Sequence, residues 1–155
     1  MPRKSAGILV YRIKAQVLEV FLVHPGGPLH AKKDLGVWSI PKGEFGDNEE
    51  PLAAARREFQ EETGTAIDGD FKPLTPIKQK SGKIVYAWAV EGEVDESKLV
   101  CNEFTMQWPP RSGKYQSFPE VDRGEWFTVE QAKQKMIPAQ AALVDELIQI
   151  MNLQL

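Results

Sequence analysis

The N-terminal part of the chain alternates between apolar segments and turn-forming residues. Residues 5–12 (SAGILVYR) and 18–25 (LEVFLVHP) are apolar and rich in β-formers, which predicts two strands. Residues 26–36 contain several glycines and prolines and are predicted to form a loop. Residues 37–44 (VWSIPKGE) predict a short strand that runs into a turn.

Residues 48–64 (NEEPLAAARREFQEETG) have the sequence signals of a helix with defined ends. Asn48 or Glu49 can cap it, Pro51 suits its first turn, and Gly64 suits the position after its last turn. The apolar positions are spaced three and four residues apart and share one face: Leu52, Ala55 and Phe59. We therefore expect this helix to bury that face.

The second half of the chain predicts more strands joined by turns. Residues 71–82 and 83–92 are predicted to pair, because Ser-Gly forms a turn between them. Residues 103–110 predict a short strand closed by two prolines, 111–122 a loop, and 123–129 a further strand.

Two helices are predicted at the C-terminal end. Thr128 and Gln131 make a capping box for a helix through about Met136. Residues 138–152 predict an amphipathic helix whose buried positions are Ala142, Leu143, Leu147 and Ile150. Strands joined by turns instead of helical crossovers predict an α/β protein with a mixed or largely antiparallel sheet and flanking helices.

The bulk composition narrows the range of functions. A chain of 155 residues suffices for a single domain with a real core, here residues 1–155. Its net charge of -3 argues against a protein that binds duplex nucleic acid through a basic face. Its single cysteine, Cys101, excludes an internal disulfide framework and a cysteine-only zinc site. No apolar run is long enough for a signal peptide or a bilayer span, so we expect a cytoplasmic enzyme or binding domain.

Three carboxylates crowd one face of the predicted helix over residues 48–64. Glu58, Glu61 and Glu62 stand at i, i+3 and i+4 and repel one another unless a counter-charge is present. A divalent cation removes this penalty, and hard oxygen ligands suit Mg²⁺ or Mn²⁺. Arg57 lies four residues before Glu61 and can hold a carboxylate in place. The alternative is a solvated acidic helix face.

The spacing of the charged residues favours the metal site over the solvated face. The fixed positions are Gly43, Glu49, Arg57, Glu58, Glu61, Glu62 and Gly64. They fill the Nudix box, so the sequence resembles the Nudix hydrolase family. The resemblance implies the Nudix α/β/α sandwich, with which the predicted order of elements is compatible. Thr65 departs from the box, which has an apolar residue there, but threonine can still pack at this position.

The resemblance implies hydrolysis of a phosphoanhydride bond in a nucleoside diphosphate linked to another group. It makes Glu58 and Glu62 the main metal ligands, and Gly43 the residue that lets the loop turn and offers a carbonyl to the metal. Glu49 pairs with Arg57 or reaches an outer metal ion. Metal ions would neutralise the pyrophosphate and acidify the attacking water.

The general base is left open by the resemblance. Glu61 is either a metal ligand or the base, and some Nudix enzymes place the base outside the box. Glu103, Glu120 and Glu125 lie in the relevant part of the chain, and we favour Glu120. For each of these three residues the alternative is an ordinary surface carboxylate.

The segment before the box bears on the substrate. WSIPKGE resembles the W-x-x-P-K-G segment of Nudix enzymes that act on diadenosine polyphosphates and diphosphoinositol polyphosphates. Lys42 would contact an extra phosphate as a point charge, or it is a solvated lysine in a turn. Our first choice is a dinucleoside polyphosphate such as diadenosine tetraphosphate. The alternatives are a pyrophosphohydrolase of non-standard or oxidised nucleoside triphosphates and a non-catalytic nucleotide-binding Nudix module.

Further substrate contacts are predicted around the Pro-Pro segment of residues 109–110. Trp108 and Tyr115 flank it and are candidates to stack on a purine, while Arg111 and Lys114 are candidate phosphate contacts. The alternatives are core packing for the aromatic residues and solvent exposure for the basic ones. The oligomeric state is not predicted by the sequence.

Overall fold

The computed structural model describes residues 3–153, and its centre is a long β-hairpin. Strand β1 (Lys4–Lys14) and strand β2 (Val17–Pro25) are antiparallel, with Tyr11 opposite Val20. Ala15 and Gln16 form the connection with φ of 51° and 69°, the positive values that a tight hairpin turn requires. Both strands were predicted, and each is longer than its apolar segment.

The other strands are β3 (Lys42–Glu44), β4 (Lys72–Pro73), β5 (Ile77–Lys78), β6 (Ile84–Glu91), β7 (Glu103–Gln107), β8 (Tyr115–Pro119) and β9 (Val121–Thr128). All of them except β7 and β8 extend the central hairpin into a mixed sheet. The main sheet has the order β4-β6-β1-β2-β9, with β3 added to β1 and β5 to β6. The pairing of β1 with β6 is parallel and the other pairings are antiparallel. Strands β7 and β8 form a separate hairpin.

Within residues 3–153, three α-helices cover the two faces of the main sheet: α1 (Pro51–Thr63), α2 (Val129–Lys135) and α3 (Ala141–Leu153). Alternate residues of β1 point to opposite faces. Ile8 and Val10 pack with Phe59 of α1, while Leu9 packs with Leu143 of α3. The molecule therefore has helix, sheet and helix layers, as expected. None of these helices is long and apolar enough to cross a membrane, within residues 3–153.

The structure corrects several local predictions. Residues 111–122 are not all loop, because Tyr115–Pro119 forms β8. Only Lys42–Glu44 of the predicted third strand is a strand, preceded by single bridges at Trp38 and Ser39. In α3, Ala142 is exposed and Val144 is buried in its place. The capping box of α2 is present as predicted.

The ends of α1 are fixed by two residues that lie within the box segment, residues 43–64. Glu50, and neither Asn48 nor Glu49, caps the helix, because its carboxylate accepts a hydrogen bond from the Ala53 amide at 2.8 Å. At the other end Gly64 has φ of 75° and its amide donates to Gln60 O. The helix therefore begins and ends at defined residues, which sets the direction of its carboxylates.

Candidate active site

Glu58 projects from α1 directly onto the short strand β3. A Cβ atom added at Gly43 would overlap Glu58 Oε2 and lie 2.7 Å from Oε1. Only glycine leaves room for the carboxylate at this point of β3. Because the opposite face of α1 buries Phe59 completely, the helix holds Glu58 against the strand. The structure therefore brings Gly43 and Glu58, both predicted to bind metal, into direct contact.

Arg57 joins the carboxylates of the box. Its Nε and Nη2 donate to the two oxygens of Glu49 at 2.7 and 2.8 Å, a bidentate pair. Its Nη1 donates to Glu58 at 2.9 Å and to Glu61 at 3.1 Å. These hydrogen bonds, the one to Glu49 first, raise the pKa of Arg57. Of the two partners predicted for Glu49, the structure shows Arg57.

Glu62 is the most enclosed carboxyl group of the α1 face. Burial, with smaller contributions from the charges of Glu120 and Glu58, raises the pKa of Glu62 to about 8, although the charge of Lys42 opposes the shift. Burial also lowers the pKa of Lys42, and the neighbouring Lys83 adds to this effect. Lys42 is therefore not the solvated turn lysine of the alternative interpretation, because it lies half-buried beside Glu62.

Lys42 and Glu62 line a cavity of about 250 Å³, which we call the carboxylate cavity. Its other lining residues are Val23, Pro25, His30, Val37, Ser39, Ile40, Glu120, Val121 and Ile137. Glu120 is the carboxylate outside the box that reaches it. The Glu120 amide donates to Asn102 O and its carbonyl accepts from the Gly26 amide, both at 2.9 Å, so its backbone position is fixed. Burial raises the pKa of Glu120, and the charge of Glu61 adds to this.

Comparison with known proteins identifies the family. A model of the NUDIX domain matches residues 1–147. The chain belongs to the Nudix family. The predicted family and enzyme class, a Nudix hydrolase, are therefore confirmed.

Curated Nudix relatives include two RNA pyrophosphohydrolases. The protein of Brucella anthropi is 28% identical over 144 residues, which cover 82% of this chain and 75% of that protein. The protein of Bartonella henselae is 38% identical over 66 residues. That shorter match covers 40% of this chain and 35% of the relative, so it spans about a third of the relative's length.

Solved structures share the Nudix fold over nearly the whole chain. An Ap4A hydrolase of C. elegans, in a binary complex, has a TM-score of 0.66 at 19% identity, covering 96% of this chain and 98% of that one. The NUDIX domain of Shewanella oneidensis NrtR, in complex with ADP ribose, has the same TM-score at 12% identity, covering 97% and 89%. At these identities the likeness establishes the fold, and the predicted α/β sandwich is confirmed.

The donor atoms of this Nudix site fit a hard divalent cation. Glu58, Glu61, Glu62 and Glu120 lie within electrostatic reach of one another, and a bound cation would favour the ionised form of the enclosed Glu62 carboxyl group. Within residues 3–153 no three histidine, cysteine or acidic side chains are already grouped around one point. Mg²⁺ does not need such a cage, because it typically takes one or two carboxylates and completes its shell with water and phosphate oxygens.

Two other candidate bases lie away from the carboxylate cavity. Glu103 is exposed at the start of β7, and Glu125 is exposed in the middle of β9, opposite Leu22. Neither lines the carboxylate cavity. Of the three bases considered outside the Nudix box, Glu120, which is also exposed, is the one that lines this cavity together with Glu62.

The predicted substrate contacts around residues 109–110 lie together at the tip of the β7–β8 hairpin. The Trp108 amide donates to Lys114 O at 2.9 Å, which extends the ladder by one pair. Arg111, Lys114 and Tyr115 are exposed, and Tyr115 is 69% exposed. None of these four residues lines the carboxylate cavity. Their contact with substrate stays a prediction.

Two basic residues near the Nudix box were not predicted as part of the site. His30 lines the carboxylate cavity, although its loop has no periodic pattern that would indicate a direction. Lys83 lies near Lys42, and its Nζ is 3.6 Å from Glu44 Oε2. Its position depends on the pairing of β1 with both β3 and β6. No local sequence signal reports these long-range pairings.

Proposed function

We propose that this Nudix protein hydrolyses a phosphoanhydride bond in a nucleotide with a long polyphosphate, and that its best substrate is a dinucleoside polyphosphate such as diadenosine tetraphosphate. One observation carries the proposal. Lys42 and Glu62 face the same cavity, so a cationic group for a phosphate stands beside a carboxylate of the box. A nucleotide whose charge ends after two phosphates has less use for this lysine.

The charged residues of the box divide into metal ligands and a residue that positions them. Glu58 and Glu62 hold the cation, with Glu61 and the Gly43 carbonyl as further donors. A bound Mg²⁺ or Mn²⁺ neutralises the polyphosphate and lowers the pKa of the attacking water. Arg57 positions the carboxylates, because one guanidinium group contacts Glu49, Glu58 and Glu61.

Glu120 is the proposed general base. It lines the carboxylate cavity together with Glu62 of α1, and there it can accept the proton of a water held between the two side chains. Partial burial and the charge of Glu61 raise its pKa, which makes it a stronger proton acceptor than an ordinary carboxylate. Glu61 is the other candidate, but in this structure its carboxylate already accepts two hydrogen bonds from Arg57 Nη1.

The relatives support the reaction class, and they introduce a second candidate substrate. The curated proteins are RNA pyrophosphohydrolases, which makes the triphosphate end of an RNA the second candidate. An Ap4A hydrolase shares the fold, which is compatible with the first. Both substrates join a nucleoside to a chain of at least three phosphates. The predicted alternative, non-standard or oxidised nucleoside triphosphates, is not favoured by any separate contact within residues 3–153.

A product assay with saturating Mg²⁺ tests the proposal. The substrates are diadenosine tetraphosphate, an RNA oligonucleotide with a 5′-triphosphate, 8-oxo-dGTP and ADP-ribose. We expect the highest kcat/KM on diadenosine tetraphosphate, with ATP and AMP as products. The highest value on the RNA supports the second candidate, and a preference for ADP-ribose or 8-oxo-dGTP contradicts both. No hydrolysis of any substrate would indicate the non-catalytic module.

A further inference from the structure

A second cavity opens beside the carboxylate cavity, between the loop after β2 and the β7–β8 hairpin. It has a volume of about 310 Å³, and we call it the hairpin cavity. Its walls are Pro25, Gly26, Gly27, Leu29, His30, Phe104, Met106 and Glu120. Pro25, His30 and Glu120 also line the carboxylate cavity, so the two spaces adjoin. No residue of the Nudix box lines the hairpin cavity.

Beside the hairpin cavity, the loop after β2 packs tightly against the β7–β8 hairpin. Gly27 has φ of 93°, and a Cβ atom there would lie 2.7 Å from Phe104 Cζ. A Cβ atom at Gly26 would overlap the carbonyl oxygen of Pro119. The paired glycines therefore let the hairpin approach the loop closely, and Phe104 lies against backbone on one side.

The chemistry of the walls differs between the two ends of the cavity. Phe104 and Met106 are alternate residues of β7 and face the same side, where Leu29 completes an apolar surface. The charged group at the shared end is Glu120. An apolar surface gives no compensation for the lost hydration of a phosphate chain. It suits a flat, weakly polar group that is attached to phosphates at the Glu120 end.

We propose that the hairpin cavity binds a nucleobase of the substrate, stacked on Phe104 and Met106. The base is joined through its ribose to the polyphosphate in the carboxylate cavity, a connection that rests on the function proposed above. Stacking of a base on an aromatic side chain strengthens binding on the order of tenfold to a hundredfold and tolerates different bases. The thioether of Met106 adds a polarizable contact.

Equilibrium binding tests this assignment without turnover. Binding of AMP and of GMP is compared by calorimetry with binding of ribose 5-phosphate, which lacks the base. We expect at least one nucleotide to bind more tightly than ribose 5-phosphate, and Phe104→Ala to weaken that nucleotide about tenfold, the low end of a stacking contribution. The affinity for ribose 5-phosphate stays unchanged. Equal affinities of wild type and Phe104→Ala for both nucleotides, or no advantage of either over ribose 5-phosphate, would overturn the proposal.

Thr105→Ala is the matched control. Thr105 lies between Phe104 and Met106 on β7, is exposed on the other side of the strand, and shares a surface hydrogen bond with Ser117. We expect it to bind all three ligands as the wild type does. If Phe104→Ala does not fold, Phe104→Leu and Met106→Ala replace it, and thermal unfolding checks each variant.

Kinetics separate this proposal from the proposed function and identify the source of the base. Diadenosine tetraphosphate and the 5′-triphosphate RNA are assayed with wild type and Phe104→Ala. The substrate whose KM rises about tenfold, at little changed kcat, supplies the stacked base. If neither is hydrolysed but Phe104→Ala weakens nucleotide binding, the function fails and the base site stands. Hydrolysis with an unchanged KM for both substrates would contradict the base site alone.

Discussion

The carboxylate of Glu58 lies against the backbone of Gly43 with no space for a side chain between them. The side chain of a residue in α1 is thus in direct contact with the backbone of a residue in β3. The first prediction follows from this contact. Gly43→Ala forces Glu58 away from its position, and displacement of a catalytic group by about 1 Å costs on the order of 10²-fold in rate. We expect kcat/KM to fall by about that factor, measured on the best substrate of the panel.

Gly46→Ala is the control for this substitution. Gly46 lies in the same connection to α1, and a Cβ atom there would meet nothing within 4 Å. Its activity should equal that of the wild type. Unchanged activity of Gly43→Ala would show that the position of Glu58 does not matter for turnover.

Glu62→Gln tests the proposed metal ligand. It keeps the shape of the side chain and removes its charge, so turnover should fall by at least ~10² if Glu62 supports metal-assisted attack. Calorimetric titration with Mg²⁺ should show weaker binding as well. Glu91→Gln, an exposed residue at the end of β6, serves as the control. Near-normal turnover of Glu62→Gln at saturating Mg²⁺ would contradict the assignment.

Arg57→Lys tests whether Arg57 positions the carboxylates or binds substrate. Lysine cannot form the bidentate pair with Glu49 and reach Glu61 at the same time. A lost hydrogen bond to a charged group costs about 1.5–3 kcal/mol, so we expect kcat to fall about tenfold or more at little changed KM. Arg56→Lys is the matched control, because Arg56 is exposed and its ion pair with the exposed Asp68 is long, at 3.6 Å. A raised KM at unchanged kcat would make Arg57 a substrate ligand.

Lys42→Met tests the choice of a long polyphosphate. Methionine keeps the apolar stem inside the carboxylate cavity and removes the charge. We expect kcat/KM on diadenosine tetraphosphate to fall about tenfold more than on ADP-ribose, the equivalent of ~1–2 kcal/mol for one phosphate contact. Lys80→Met, in the exposed turn before β6, should change neither value. Equal losses on both substrates would mean that Lys42 shapes the site without selecting the substrate.

Gln140→Leu tests how the segment before β3 is held. The fully buried Gln140 accepts from the Ile40 amide at 3.0 Å and donates to Ser39 Oγ at 3.0 Å. Leucine leaves the Ile40 amide unpaired, so the free energy of unfolding should fall by about 1–3 kcal/mol. Urea denaturation measures it, with Gln149→Leu on the exposed side of α3 as the control. Equal midpoints for the two variants would show that these hydrogen bonds contribute little.

The sequence predicted the part of the site that depends on neighbours along the chain. Arg57, Glu58, Glu61 and Glu62 share one helix, so their contacts follow from helical spacing, and the structure shows them. The location of Glu120 beside them depends on the antiparallel pairing of β9 with β2 and on two backbone hydrogen bonds. The sequence alone therefore left three glutamates as candidates for a base outside the box.

Other features had weak or misleading local signals. Strand β8 was predicted as loop because four of its five residues are exposed, which leaves no alternation of apolar and polar positions. The cap of α1 was misassigned by one or two positions because several polar residues precede the helix. The burial of Lys42 was missed because its neighbours in the fold, such as Glu62 and Lys83, are distant in sequence.

The parallel pairing of β1 with β6 has a consequence for the folding of the nascent chain. Lys4 lies opposite Ile84, so the central strand lacks one of its neighbours until the ribosome has released β6. Such distant pairings carry a large loop-closure entropy and slow folding. The box helix leaves the ribosome well before this sheet is complete, and its buried residue Phe59 then has only part of its packing surface. Incomplete chains that end before β6 are therefore expected to expose apolar surface and to depend on chaperones during synthesis.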